Sequence, residues 1–134
     1  MTRSRRSAKA AGTAFETMIA RHLATVLDDD RIERRAKTGA KDRGDIGGVR
    51  AHGGRVVIEC KEVRHEDCAK CGRVYGLQLA GWTAEAQIEA GNDDAICGVV
   101  VHKRKGTTNP GEQWVTMTVA ELVALITGQR AVAP

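Results

Sequence analysis

Hydrophobic and polar residues alternate along this chain with two distinct periods. Between Ala10 and Leu27 the residues Phe15, Met18, Ile19, His22, Leu23, Val26 and Leu27 recur at i, i+3, i+4, i+7, i+8, i+11 and i+12, which predicts a helix ended by Asp28, Asp29 and Asp30. His22 lies on that stripe and is read as a core histidine. Residues 31–36 predict a strand. From Asp42 to Lys61 the chain reads as two strands joined by a turn at Gly53 and Gly54, the second strand holding the apolar run Val56, Val57, Ile58. A second helix is expected from Leu77 to Ala90, presenting Leu79, Trp82, Ala86 and Ile88. Ala95 to Val101 predicts a buried strand, 113–118 a further strand, and Val119 to Ile126 a short helix. The order αβββαββα gives an α/β fold with a central mixed sheet flanked by helices.

Side chains on a strand alternate between faces, so Glu59 and Lys61 point one way while Ile58 and Cys60 point the other, Cys60 toward the core. Pairing across the turn brings Asp45 close to Glu59. Two carboxylates and an ammonium then converge on one patch at the end of a buried run, where an unpaired charge is costly. A divalent ion such as Mg²⁺ needs only one or two carboxylates to be held beside a phosphate. Lys61 would orient the attacking water or neutralise charge on the phosphate. The plain alternative is a structural ion pair.

With 134 residues, the chain is long enough for one domain with a core that needs no disulfide support. Four cysteines in an otherwise ordinary composition suggest a reducing cytoplasm. No stretch approaches a membrane span, and the basic start is followed by no apolar run of a secretory signal. The net charge of +4 is unevenly spread. Arg3, Arg5, Arg6 and Lys9 precede any acid, in a basic arm over residues 1–9 that is expected to be mobile. Residues 31–43 hold Arg31, Arg34, Arg35, Lys37, Lys41 and Arg43 against Glu33 and Asp42, leaving the remainder net acidic. Positive charge flanking an acidic site suits a polyanion gripped by its backbone; a solubilising tail and a solvated loop are the alternative. Lys103, Arg104 and Lys105 follow the strand at 95–101 and either hold phosphate or simply end it in solvent. Trp82 and Trp114 are read as packing residues.

The spacing Asp45-x13-Glu59-x-Lys61 resembles the Asp-(x)n-(Asp/Glu)-x-Lys pattern of the PD-(D/E)XK nuclease superfamily, with Gly44 where a proline often precedes the aspartate. The resemblance is nearest to phage, bacterial and archaeal-type Holliday-junction resolvases. It rests on Gly12-x-x-Phe15-Glu16, Arg43-Gly44-Asp45-Ile46, Glu59-Cys60-Lys61, Leu79-Ala80-Gly81-Trp82 and the strand end Val99 to Arg104, and covers about residues 12–126. It implies a restriction-endonuclease-like core. It also implies an endonuclease acting on branched DNA with Mg²⁺ or Mn²⁺ as cofactor, Asp45 and Glu59 as metal ligands, the Cys60 carbonyl as a further ligand, Glu16 as a third carboxylate and Lys61 at the nucleophile. Matched cuts at a four-way junction imply a homodimer. Polar residues on the helix after the Glu-x-Lys strand, Glu85 or Gln87, are auxiliary candidates. Alternatives are a nuclease of the same superfamily acting on duplexes, flaps or ends, and a catalytically silent DNA-binding module.

The segment 62–76 stands outside the resemblance. His65, Cys68 and Cys71 are spaced as three ligands of a structural Zn²⁺, which needs a fourth from elsewhere or from a second subunit. Free thiols and a Cys68–Cys71 disulfide are the alternatives. Cys97 is expected to be a buried small hydrophobe.

Overall fold

In a computed structural model, residues 4–36, 41–63, 66–67, 74–75 and 77–130 are described. Helix α1 (Arg5–Val26) comes first, followed by the short strands β1 (Glu33–Arg34), β2 (Ile46–Gly47) and β3 (Arg50–Ala51) and the long β4 (Gly54–Lys61). Then come β5 (Glu66–Asp67), β6 (Val74–Tyr75), α2 (Leu79–Asn92), β7 (Cys97–His102), β8 (Trp114–Thr116) and α3 (Val119–Thr127). The main sheet runs β1-β2-β4-β7-β8, with β3 also paired to β4, and β5 and β6 pair separately. Among the described strands only β4 and β7 pair in parallel. This is an α/β fold built on a mixed, open sheet flanked by helices.

Alternation along β4 and β7 decides which helix covers which face. Val56, Ile58, Cys60, Cys97, Val99 and Val101 join Phe15, Ile19 and Ala20 of α1 and Ala124 of α3 in one core. Val57 meets Ala90 and Ala95 on the other face, and Val100 meets Trp82 and Ala86. Helix α2 approaches this second face closely because Gly98 has no side chain. A Cβ there would run into the Ala86 carbonyl.

Several boundaries differ from expectation for identifiable reasons. Helix α1 starts at Arg5, inside the expected arm, because the Ser4 hydroxyl caps it by accepting from the Ser7 amide at 3.1 Å. Arg5, Arg6 and Lys9 therefore ride on its first turns, and Arg3 lies outside the described residues. Val26 and Leu27 are exposed rather than on the buried stripe, and His22 is half-buried beside the Pro110–Glu112 turn. The hairpin turn is His52-Gly53 rather than Gly53-Gly54. Both residues have positive φ (52° and 76°), while Gly54 already pairs with Ala51 in the ladder. The first hairpin arm is split into β2 and β3 at Gly48, whose φ of 91° breaks the strand as it passes the Arg31 carbonyl. On α2, Ile88 and Leu79 are exposed, whereas Glu89 is buried with Trp82, Ala86 and Ala90. Residues 82, 86, 89 and 90 lie on one face of a 3.6-residue helix; 88 does not.

Candidate metal centre

The β2–β4 register, Ile46 opposite Ile58, sets Asp45 across from Glu59. The Asp45 amide donates to the Ile58 carbonyl at 2.9 Å. The Asp45 Oδ2 in turn accepts the Cys60 amide at 2.7 Å. Asp45 and Glu59 are each only 4 % exposed. Burial pushes the Asp45 carboxyl up to about 8, aided first by the charge of Glu59 and then by that of Glu16. Burial likewise raises Glu59 to about 8, with Glu89 beside it. Cys60 meets the site through its amide, and its thiol lies in the core on the other face.

Lys61 stands where the sequence puts it. Its Nζ lies 3.5 Å from the Glu59 Oε1 and 3.0 Å from the Glu85 Oε2 on α2. Of the two polar candidates on α2, Glu85 is the one that meets the strand, whereas Gln87 reaches the Thr118 hydroxyl at 3.3 Å instead. Beside Lys61 on β7 is His102, buried against Trp82, its Nε2 2.7 Å from the Thr116 Oγ1 and its Nδ1 without a partner among the described residues.

Two carboxylates absent from the expected set complete the cluster. Oxygens of Asp42, Glu59 and Glu89 all lie within 4.8 Å of one another, an arrangement able to hold a metal ion. Glu89 is 2 % exposed, and neither of its carboxylate oxygens nor the Glu59 Oε2 has a hydrogen-bond donor among the described residues. Burial raises Glu89 to about 7, with Asp42 among the charges that add to it. Buried carboxylate oxygens without donors are costly unless protonated or neutralised by a cation. The all-oxygen donor set suits a hard ion. The residues present therefore fit a divalent cation. Glu89 was detectable in the sequence as an acid at an apolar-stripe position of α2.

Glu16 does not join this triad. It forms a 2.8 Å ion pair with Arg34 and lines, with Asp45, Lys9, Thr13 and Arg35, a groove between α1 and the β1 edge. Arg35 is engaged internally, donating to the Arg43 carbonyl at 2.7 Å and reaching the Asp93 carboxylate at 3.3 Å. Lys103 donates its amide to the Lys61 carbonyl, so the basic run 103–105 leaves the sheet at the same end as Lys61. Trp114 is not a packing residue. It is half-exposed, with the Arg104 guanidinium 4.5 Å from its ring centre. Lys41 is exposed. Lys37 and the expected zinc ligands His65, Cys68 and Cys71 lie outside the described residues. Among the described residues no helix is long and apolar enough to cross a membrane.

Comparison of the chain with family models, curated proteins and solved structures finds no match.

Proposed function

We propose that the protein is a Mg²⁺-dependent endonuclease of the PD-(D/E)XK type, with a restriction-endonuclease-like core, that cuts branched DNA as a Holliday-junction resolvase does. One observation carries the proposal: Asp45 faces Glu59 across paired strands, with the Lys61 ammonium 3.5 Å from that same glutamate. Asp45 and Glu59 would hold the ion, Mg²⁺ or Mn²⁺, with Glu16 and the Cys60 carbonyl as supporting groups. When bound, such an ion lowers the pKa of water and draws charge from the phosphate.

The chain's own residues supply the rest. Lys61 is held by Glu59 and Glu85 with its charge at the end of β4, where it orients a water and offsets charge on a phosphate oxygen. The Cys60 amide fixes the Asp45 carboxylate in one orientation. Lys9 and Arg34 line the groove that leads to Asp45, and Lys103, Arg104 and Lys105 flank the Lys61 end, so duplex backbones are gripped by phosphate contacts without a base code. Exposed apolar side chains on β8 and α3, Val115, Val119, Val123 and Ile126, support a homodimer, which paired cuts require.

Incubating the protein with four-way, flap and linear DNA in Mg²⁺ tests the proposal. Paired symmetric nicks on junctions alone are expected. Cleavage of flaps or ends instead would reassign the substrate. Tight junction binding with no cleavage of any DNA would leave a binding module and sink the nuclease.

A further inference from the structure

We infer that Asp42, Glu59 and Glu89 form a second site for a hard divalent cation, on the α2 side of the sheet and sharing Glu59 with the Asp45 position. The three side chains come from a loop, a strand and a helix, yet present oxygens within 4.8 Å of one another. Convergence alone would mean little, since acidic groups often cluster. What distinguishes this cluster is burial without donors. Glu89 is 2 % exposed and both its oxygens lack a hydrogen-bond partner among the described residues, as does the Glu59 Oε2.

The Lys61 ammonium does not relieve them. The Lys61 Nζ is spent on the other Glu59 oxygen, Oε1, and on Glu85. A small cation facing Glu59 Oε2 and the Glu89 carboxylate supplies the positive charge that these oxygens lack among the described residues, with an Asp42 oxygen within reach of the same point. Carboxylates alone select Mg²⁺, Mn²⁺ or Ca²⁺ over thiolate- and imidazole-seeking metals.

The surroundings hold Asp42 ready. Its backbone carbonyl accepts from the Asn92 Nδ2 at 2.8 Å, which ties the loop to the end of α2. Its Oδ1 accepts from the Gly44 amide at 2.9 Å, shaping the turn that delivers Asp45. An ion here joins loop, strand and helix, and so seats Asp45 as well as Glu59. The inference shares Glu59 with the nuclease proposal but needs no cleavage to be true.

Mn²⁺ binding to the full chain, followed by the EPR signal of the free ion, tests it, with thermal melting as a parallel readout. Wild type is expected to take up two Mn²⁺. Glu89→Gln and Asp42→Asn should each retain one ion, weaken the other at least tenfold and lose much of the Mn²⁺-induced rise in Tm. Asp45→Asn should keep the Glu89-dependent ion. Asp42 lies in a half-buried loop, so Asp42→Asn carries the test if Glu89→Gln fails to fold. The inference is overturned if wild type binds no Mn²⁺, or if both variants bind as wild type does. It is equally overturned if a single ion is lost alike in all three variants, which means one merged site. Failure to cut DNA while both ions bind would count against the nuclease proposal alone.

Discussion

The Asp45 carboxylate accepts the Cys60 backbone amide at 2.7 Å, so the side chain expected to bind metal also completes the hydrogen bonding of β4. The two roles separate by substitution. Asp45→Ala leaves a buried amide unpaired and should cost about 1–3 kcal/mol in urea unfolding. Asp45→Asn keeps an acceptor and should stay within about 1 kcal/mol of wild type. Its junction cleavage should nonetheless fall by about 10³-fold, the rate equivalent of several kcal/mol of lost charge stabilisation. Equal cleavage by Asp45→Asn and wild type would remove Asp45 from the site.

Asp45 and Glu59 titrate near 8 and Glu89 near 7 in the folded chain, well above their ordinary carboxylate values. Between about pH 4 and 8 the unfolded chain has shed protons that the folded chain retains, so stability falls as pH rises through that window. Burial lowers His102, which acts in the opposite sense below its ordinary value of 6.5. The comparison is therefore cleanest from pH 6.5 upward. Calorimetry without metal should give a lower Tm at pH 8 than at pH 6.5, and millimolar Mg²⁺ should raise Tm more at pH 8. A Tm that rises with pH in metal-free buffer would contradict the buried, crowded carboxylates.

Gly44 has φ of 91°, and a Cβ there would lie 2.8 Å from the Val57 Cγ1 and 3.1 Å from the Ile58 carbonyl oxygen. Gly44→Ala should destabilise by about 1–3 kcal/mol. Gly44→Pro should cost more, because the ring locks φ near −65° and removes the amide that donates to Asp42. Where the nuclease pattern often has proline, this chain enters the site by a turn that proline cannot make. Chemical denaturation of the two variants decides the order, and a Gly44→Pro protein as stable as wild type would refute it.

Lys9 and Arg34 line the groove above Asp45, and removing them together should weaken junction binding without altering the fold. The slope of log affinity against log salt should flatten by about 0.9 for each lost phosphate contact. An unchanged slope in Lys9→Gln/Arg34→Gln would place the DNA elsewhere, with the Arg104–Trp114 corner the next surface to mutate.

Much of the architecture was legible from period alone. The stripe through Phe15 and Ile19 and the runs 56–58 and 99–101 became α1, β4 and β7, and their alternation already placed Glu59 and Lys61 together on the face away from Cys60. The hairpin alone does not bring Asp45 to Glu59. Continued past Arg50 opposite Arg55 and Ala51 opposite Gly54, it would set Asp45 across from Cys60. The one-residue slip at Gly48 between β3 and β2 puts Ile46 opposite Ile58 and Asp45 toward Glu59. Glu89 was missed because hydrophobic patterning gives weight to apolar residues. A carboxylate on the buried stripe reads as an interruption, and Ile88 beside it draws the face the wrong way. Asp42 was legible only as part of a basic loop, since its approach to Glu89 is made by tertiary packing of that loop against the end of α2. The early start of α1 depended on one capping hydroxyl, a local signal outweighed by the run of arginines after it.

Glu85 and Glu89, which reach Lys61 and Glu59, bracket Ala86, whose carbonyl rests against bare Gly98 on β7. The reach of both acids is therefore calibrated by the thinnest spacer a chain can offer. One added methyl, in Gly98→Ala, would lift the helix and detune both contacts at once, spoiling the chemistry while every charged side chain stayed in place.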